Sequence, residues 1–162
     1  MRHRITLEQL PTLLRKLEPE MRAAIRRGLK SATLRAKHIV IEEIDKASPY
    51  PAVDTGGLRN SVKTDLRGPA VIVDAPHAAP INNGTRPFWP PLAPLLTWVV
   101  RKGLADDEDE AEQVARAIQF KIAREGIAPR FFMEKAMARV RSDIIPAEIR
   151  AELLALEARG LV

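Results

Sequence analysis

Three histidines, His3, His38 and His77, carry the side chains best suited to acid–base work near neutral pH. No two stand at a metal-binding interval such as i, i+4, and His38 lies beside apolar Ile39 inside a helical pattern. Ser61 and Thr55 have hydroxyls, but no base stands near them to activate a nucleophile. Gly56-Gly57 and Gly84 are not followed by the Gly-Lys-Ser/Thr of a phosphate-binding loop. Glu42, Glu43 and Asp45 cluster where a helix should end, and Asp106-Asp107-Glu108-Asp109-Glu110 forms a run that invites a metal-site reading. That run stands where a helix should start, and carboxylates there complement the positive end of the helix dipole. Nothing in this set gives reason to propose an enzyme, and no catalytic, cofactor-binding or metal-binding residue is assigned.

What remains is the chemistry of contact. Arg86-Pro87-Phe88-Trp89-Pro90-Pro91 sets two aromatics on backbone stiffened by proline, which lowers the entropy lost on docking. Aromatics are common among the residues that dominate interfaces, so Phe88 and Trp89 are the expected anchors of a contact loop over 81–91. Arg22, Arg26 and Lys30 are four apart and share one stripe of a helix. Residues 1–40 hold ten Lys/Arg and three Glu, about +7, and the rest hold sixteen against eighteen, about −2. That asymmetry fits nucleic acid, an acidic protein partner or a solvated helix face.

The elements that must position these groups follow from periodicity. Pro19 to Lys46 predicts a long helix, with Met21, Ile25, Leu29, Ala32, Ala36, Ile39 and Ile44 as the stripe that docks on a sheet. A further helical turn is expected at 6–10. Ser48-Pro49-Tyr50-Pro51 stops the helix and opens a loop. A β-hairpin over about 61–74 turns at Arg67-Gly68-Pro69, and one or two more strands are expected from 51–58 or 75–88. Helices should follow at 91–102, from about 106 to Gly126, and from Pro129 through Val140; Pro146 should restart the chain as a terminal helix. The fold class is α+β, one domain over 1–162 with a core at about 19–140 and a helical extension at 141–162.

With no cysteine, disulfides and thiolate metal sites are excluded. No apolar run reaches the roughly 18 residues of a membrane span. The basic start Met1-Arg2-His3-Arg4 lacks the apolar stretch of a signal peptide, so a cytosolic protein with no membrane contact is expected.

Three segments in order carry a resemblance. Thr55, Gly56, Leu58, Arg59 and Ser61 match a Thr-Gly-x-Leu-Arg-x-Ser pattern. His77-Ala78, with Asn82 or Asn83 before Gly84-Thr85, stands where the pattern has Tyr-Ala and then Glu-x-Gly-Thr. Pro129-Arg130-Phe131-Phe132 inverts the first two residues of an Arg-Pro-Phe pattern and keeps the rest, up to Ala136. With a hairpin between the first two, the chain resembles the tail-completion or head–tail joining proteins of tailed bacteriophages, also described as neck or minor tail proteins.

The resemblance implies a non-enzymatic virion protein at the head–tail junction, assembled in the host cytoplasm as a homo-oligomeric ring, most often a hexamer. It implies head-connector and tail-tube proteins as partners, with unspecific contact to genomic DNA in the channel. Gly56, Gly57, Gly84 and Thr85 would form structural turns. Arg59, Arg86, Phe88, Trp89, Arg22, Arg26 and Lys30 would serve subunit or partner contacts. In a ring the basic stripe would face solvent, the lumen or an acidic neighbour such as Asp106–Glu112 of an adjacent subunit, and the acidic neighbour is favoured because a strongly basic channel would hinder DNA sliding. The alternative is a nucleic-acid-binding protein that uses the basic N-terminal helix.

Overall fold

Pro19 has no amide hydrogen to lose, so it suits the first turn of helix α1 (Pro19–Asp45). A computed structural model of the chain describes residues 2–4, 18–47 and 55–160. The expected helical turn at 6–10 and the loop at 48–54 lie outside the described residues. The fold is α+β: a long N-terminal helix, a small antiparallel sheet and C-terminal helices. Two compact units make it up, one formed by residues 1–78 and 131–162, the other by 79–130.

In the first unit, α1 buries Ala24, Gly28, Leu29, Ala32, Thr33, Ala36, Ile39, Val40 and Ile44, while Met21 and Ile25 stay half-buried. This stripe was expected to dock on the sheet. It touches the sheet, but its main partner is the C-terminal helical run: α6 (Phe132–Arg139), a π-helical turn at Val140–Ile144 and α7 (Ile145–Glu157). The reason is the small side chains along α1. At Gly28 a Cβ would lie 2.9 Å from the Ile149 Cα, so α7 backbone packs directly on α1 backbone there. Arg27 Nε to Glu152 (2.6 Å) and Arg35 Nε to Glu148 (2.9 Å) tie the same two helices.

Pro146 does not restart the chain. The run from Phe132 to Glu157 is continuous, because the π turn widens the helix just before a residue that can neither donate its amide nor fit over a regular preceding turn. Phe132, Met133, Ala136, Met137 and Val140 are buried on its inner side.

The hairpin is formed by β2 (Val62–Asp65) and β3 (Ala70–Val73), with Val62 opposite Val73 and Asp65 opposite Ala70. Asp65 Oδ1 accepts from the amides of Arg67 (2.9 Å) and Gly68 (3.4 Å), which is why the turn closes there. The third strand is β1 (Arg2–Arg4), antiparallel on the free side of β3. It does not come from the segments expected to supply it. Gly57–Asn60 winds into one helical turn, α2, and Ala78–Asn83 forms the short helix α3, where Pro80 sits in the first turn and forfeits no helical bond.

The second unit is a helical hairpin. Helix α4 (Leu92–Arg101) and helix α5 (Glu108–Glu125) close on Val99, Ala111 and Ala115, with Leu92, Leu95, Leu96, Trp98, Val114 and Ile118 half-buried around them. The acidic run starts α5 as expected: the N-cap Asp107 Oδ1 accepts from Glu110 N, and Glu110 Oε2 accepts from Asp106 N just before the cap, both at 2.7 Å.

Candidate interaction surface

A clasp of backbone holds the two ends of the second unit together. Thr85 N donates to Ile127 O at 2.9 Å and Ile127 N donates back to Thr85 Oγ1 at 2.9 Å. Arg130 N donates to the carbonyls of Ile81 (3.2 Å) and Asn82 (3.1 Å). The crossing leaves no room for side chains at its centre. Gly84 has φ +73 and its Cβ would fall 2.6 Å from Ile127 O; Gly126 has φ +74 and its Cβ would meet Thr85 O. The Gly-Thr turn and the segment before Arg130, 42 residues apart at Thr85 and Ile127, are thus two halves of one joint.

This joint delivers the proline loop. Pro90 is buried and its carbonyl accepts from Gln119 Nε2 at 2.7 Å, so the loop is pinned to α5 at its far end. Between the pins Arg86, Phe88 and Trp89 all face solvent, Trp89 with 59% and Phe88 with 42% of their surface open. Trp89 and Phe120 of α5 pack in a T-shaped arrangement, ring centroids 5.1 Å apart and planes at 89°. Phe120 is itself 61% exposed. A shallow groove beside it is lined by Ala117, Lys121, Ala123, Arg124 and Glu125. The second unit therefore shows solvent a fixed aromatic pair edged with charge.

The other predicted residues belong to the first unit. Arg59, on exposed α2, lies 3.6 Å from Asp45 Oδ1, so its guanidinium has an acidic neighbour within its own chain. Gly56 adopts φ +81 ahead of α2, whereas Gly57 takes an ordinary helical conformation and leaves its Cβ position uncrowded. Leu58 beneath them is buried, and Ser61 Oγ donates to its carbonyl at 2.8 Å. Of the basic stripe, Arg26 and Lys30 are exposed; Arg22 is half-buried, and its Nε meets no hydrogen-bond acceptor among the described residues.

At the other end of α1, Arg139 donates to Glu42 Oε2 at 2.8 Å and lies 4.0 Å from Glu43. This hydrogen bond holds the Glu42 carboxyl below its ordinary range, and the guanidinium is pushed up in turn. Arg124 does the same to Glu125 on α5. Among the described residues no three His, Asp or Glu side chains gather as metal ligands, and no helix is long and apolar enough to cross a membrane.

Sequence reasoning missed Phe120 and Gln119. The signal for Phe120 was its place outside the stripe of Ala111, Val114, Ala115, Ile118 and Ile122: a large aromatic on the polar side of a helix. Gln119 carried none, because a buried amide is defined only by the carbonyl it meets. Comparison with known protein families, with curated proteins and with solved structures finds no match.

Proposed function

We propose that this chain is a non-enzymatic structural protein of a tailed-phage virion, acting at the head–tail junction as a ring that joins tail to head. The observation that carries the reading is Trp89, a large aromatic 59% exposed on a loop pinned at both ends. A side chain held open to solvent on fixed backbone costs little entropy to dock, which suits a protein whose work is assembly. The order of the three sequence segments supplies the phage context. Head-connector and tail-tube proteins are then the expected partners, with copies of the chain itself, and the virion the expected location.

The test is Trp89→Ala. An exposed residue outside the core should cost the fold no more than about 1 kcal/mol, so the variant should melt close to the parent. In particle assembly it should fail to enter virions. A variant that is incorporated normally, or a parent chain missing from purified particles, refutes the reading. Nucleic-acid binding through α1 is the competing reading, favoured by exposed Arg26 and Lys30. It predicts sequence-preferring duplex binding that weakens steeply with salt. Engagement of Arg27 and Arg35 by Glu152 and Glu148 subtracts from the charge available for that role.

A further inference from the structure

Helix α5 turns a stripe of six exposed residues away from its buried side: Asp109, Gln113, Arg116, Ala117, Phe120 and Arg124. At 100° per residue they span about 100° of arc, opposite Ala115. Their separations are 4, 3, 1, 3 and 4 residues, a palindrome centred between Arg116 and Ala117. The chemistry is not palindromic but complementary, since an acid stands at one end and arginine at the other.

We propose that this stripe is a two-fold contact with a second copy of the chain, the two α5 helices packing antiparallel. In that register Asp109 faces Arg124 of the second copy, Gln113 faces its Phe120, and Arg116 lies beside its Ala117, each contact occurring twice. The direction is set by charge. Parallel packing would set Asp109 on Asp109 and Arg124 on Arg124, where like charges repel, while antiparallel packing pairs them over four turns, about 22 Å of helix. It also sets the two helix dipoles head to tail. The apolar centre comes from Phe120, 61% exposed with the Trp89 ring perpendicular to it, beside the groove that starts at small Ala117. Arg124 meets Glu125 in the single chain, an exposed pair of neighbours that can be exchanged for Asp109 at little cost. This contact is isologous, unlike the head-to-tail contacts of a ring, and it does not rest on the phage reading.

A pair of helices this long buries less than the roughly 1,200 Å² of stable interfaces, so the contact is weak in dilute solution and suits a cross-linking readout. The chain has no cysteine, so introduced thiols report alone. Under mild oxidation Ala117→Cys, next to the two-fold axis, should form disulfide-linked dimers. Mixed Asp109→Cys and Arg124→Cys chains should link to each other on the order of tenfold faster than either links to itself. In the Ala117→Cys background Asp109→Lys or Arg124→Glu should each abolish the dimer, and both on one chain should restore it. Helix content, followed by circular dichroism, should be the same throughout, because every position is exposed. Asp109→Cys chains that link to themselves as fast as to Arg124→Cys chains overturn the register. Charge variants that leave the Ala117→Cys dimer unchanged overturn the contact.

Discussion

Replacing Gly84 with alanine tests whether the clasp, and not the turn alone, holds the second unit together. Two costs add. The first is backbone: φ +73 is a conformation in which a Cβ is disfavoured by roughly 1–2 kcal/mol. The second is crowding. The new methyl would sit 2.6 Å from Ile127 O, 2.9 Å from Pro129 N and 3.0 Å from Pro129 Cδ. Neither the carbonyl nor the proline can swing away, so the strands of the joint must part at about 1–3 kcal/mol. Parting them stretches the reciprocal Thr85–Ile127 hydrogen bonds, worth about 1 kcal/mol each. The two costs sum to about 2–5 kcal/mol, and losing both hydrogen bonds outright would add about 2 more, a large part of the roughly 5–15 kcal/mol that holds a domain. Gly103→Ala is the control: φ there is +61, but nothing lies within 4 Å of the added Cβ, so only the backbone cost applies. Urea unfolding followed by circular dichroism should show Gly84→Ala losing at least about 2 kcal/mol more than Gly103→Ala. Equal losses would mean that the joint yields freely and the crowding argument fails.

Gly28→Ala gains about 1 kcal/mol of helix propensity but forces a methyl against Ile149 and Glu148 backbone, so a net loss of about 1 kcal/mol is expected; a raised melting temperature would refute it. Phe131 and Phe132 should differ sharply, because Phe131 has φ +52 and is 47% exposed while Phe132 is 1% exposed. Phe132→Ala should cost about 3–5 kcal/mol and Phe131→Gly less than about 1 kcal/mol, read by denaturant titration. The Glu42 carboxyl is held low by Arg139, so its contribution to stability is present above its unfolded pKa and lost as pH falls through the lower folded value. The melting difference between parent and Glu42→Gln should therefore shrink on acidification through the carboxylate range; a difference that grows would show that the pair is not formed.

Much of the fold was legible because it depends on local rules. Pro19 and the apolar period from Met21 to Ile44 marked α1, Arg67-Gly68-Pro69 marked the hairpin turn, and the carboxylates from Asp106 to Glu110 marked where α5 begins. These are short-range effects of backbone geometry, hydrogen bonding and the helix dipole. The prolines around Phe88 and Trp89 marked a stiff, open stretch, and both aromatics are exposed. The resemblance rests on turns, and turns carry sequence signals.

Only the tertiary structure decided the rest, because it depends on which surfaces meet. Gly28 reads as a weak point in a helix until Ile149 lies against it, so α1 was assigned to the sheet when its main partner is α7. The third strand came from Arg2–Arg4, too short and too charged to announce itself, and selected by the free edge of β3. Gly84 and Gly126 stand far apart in sequence, and neither reveals that it fills the other's crossing. Phe120 is a residue out of period until Trp89 packs against it, at which point an ordinary helix becomes a surface. Local chemistry determined the elements; contact between distant backbones decided which of their faces were closed and which were left open.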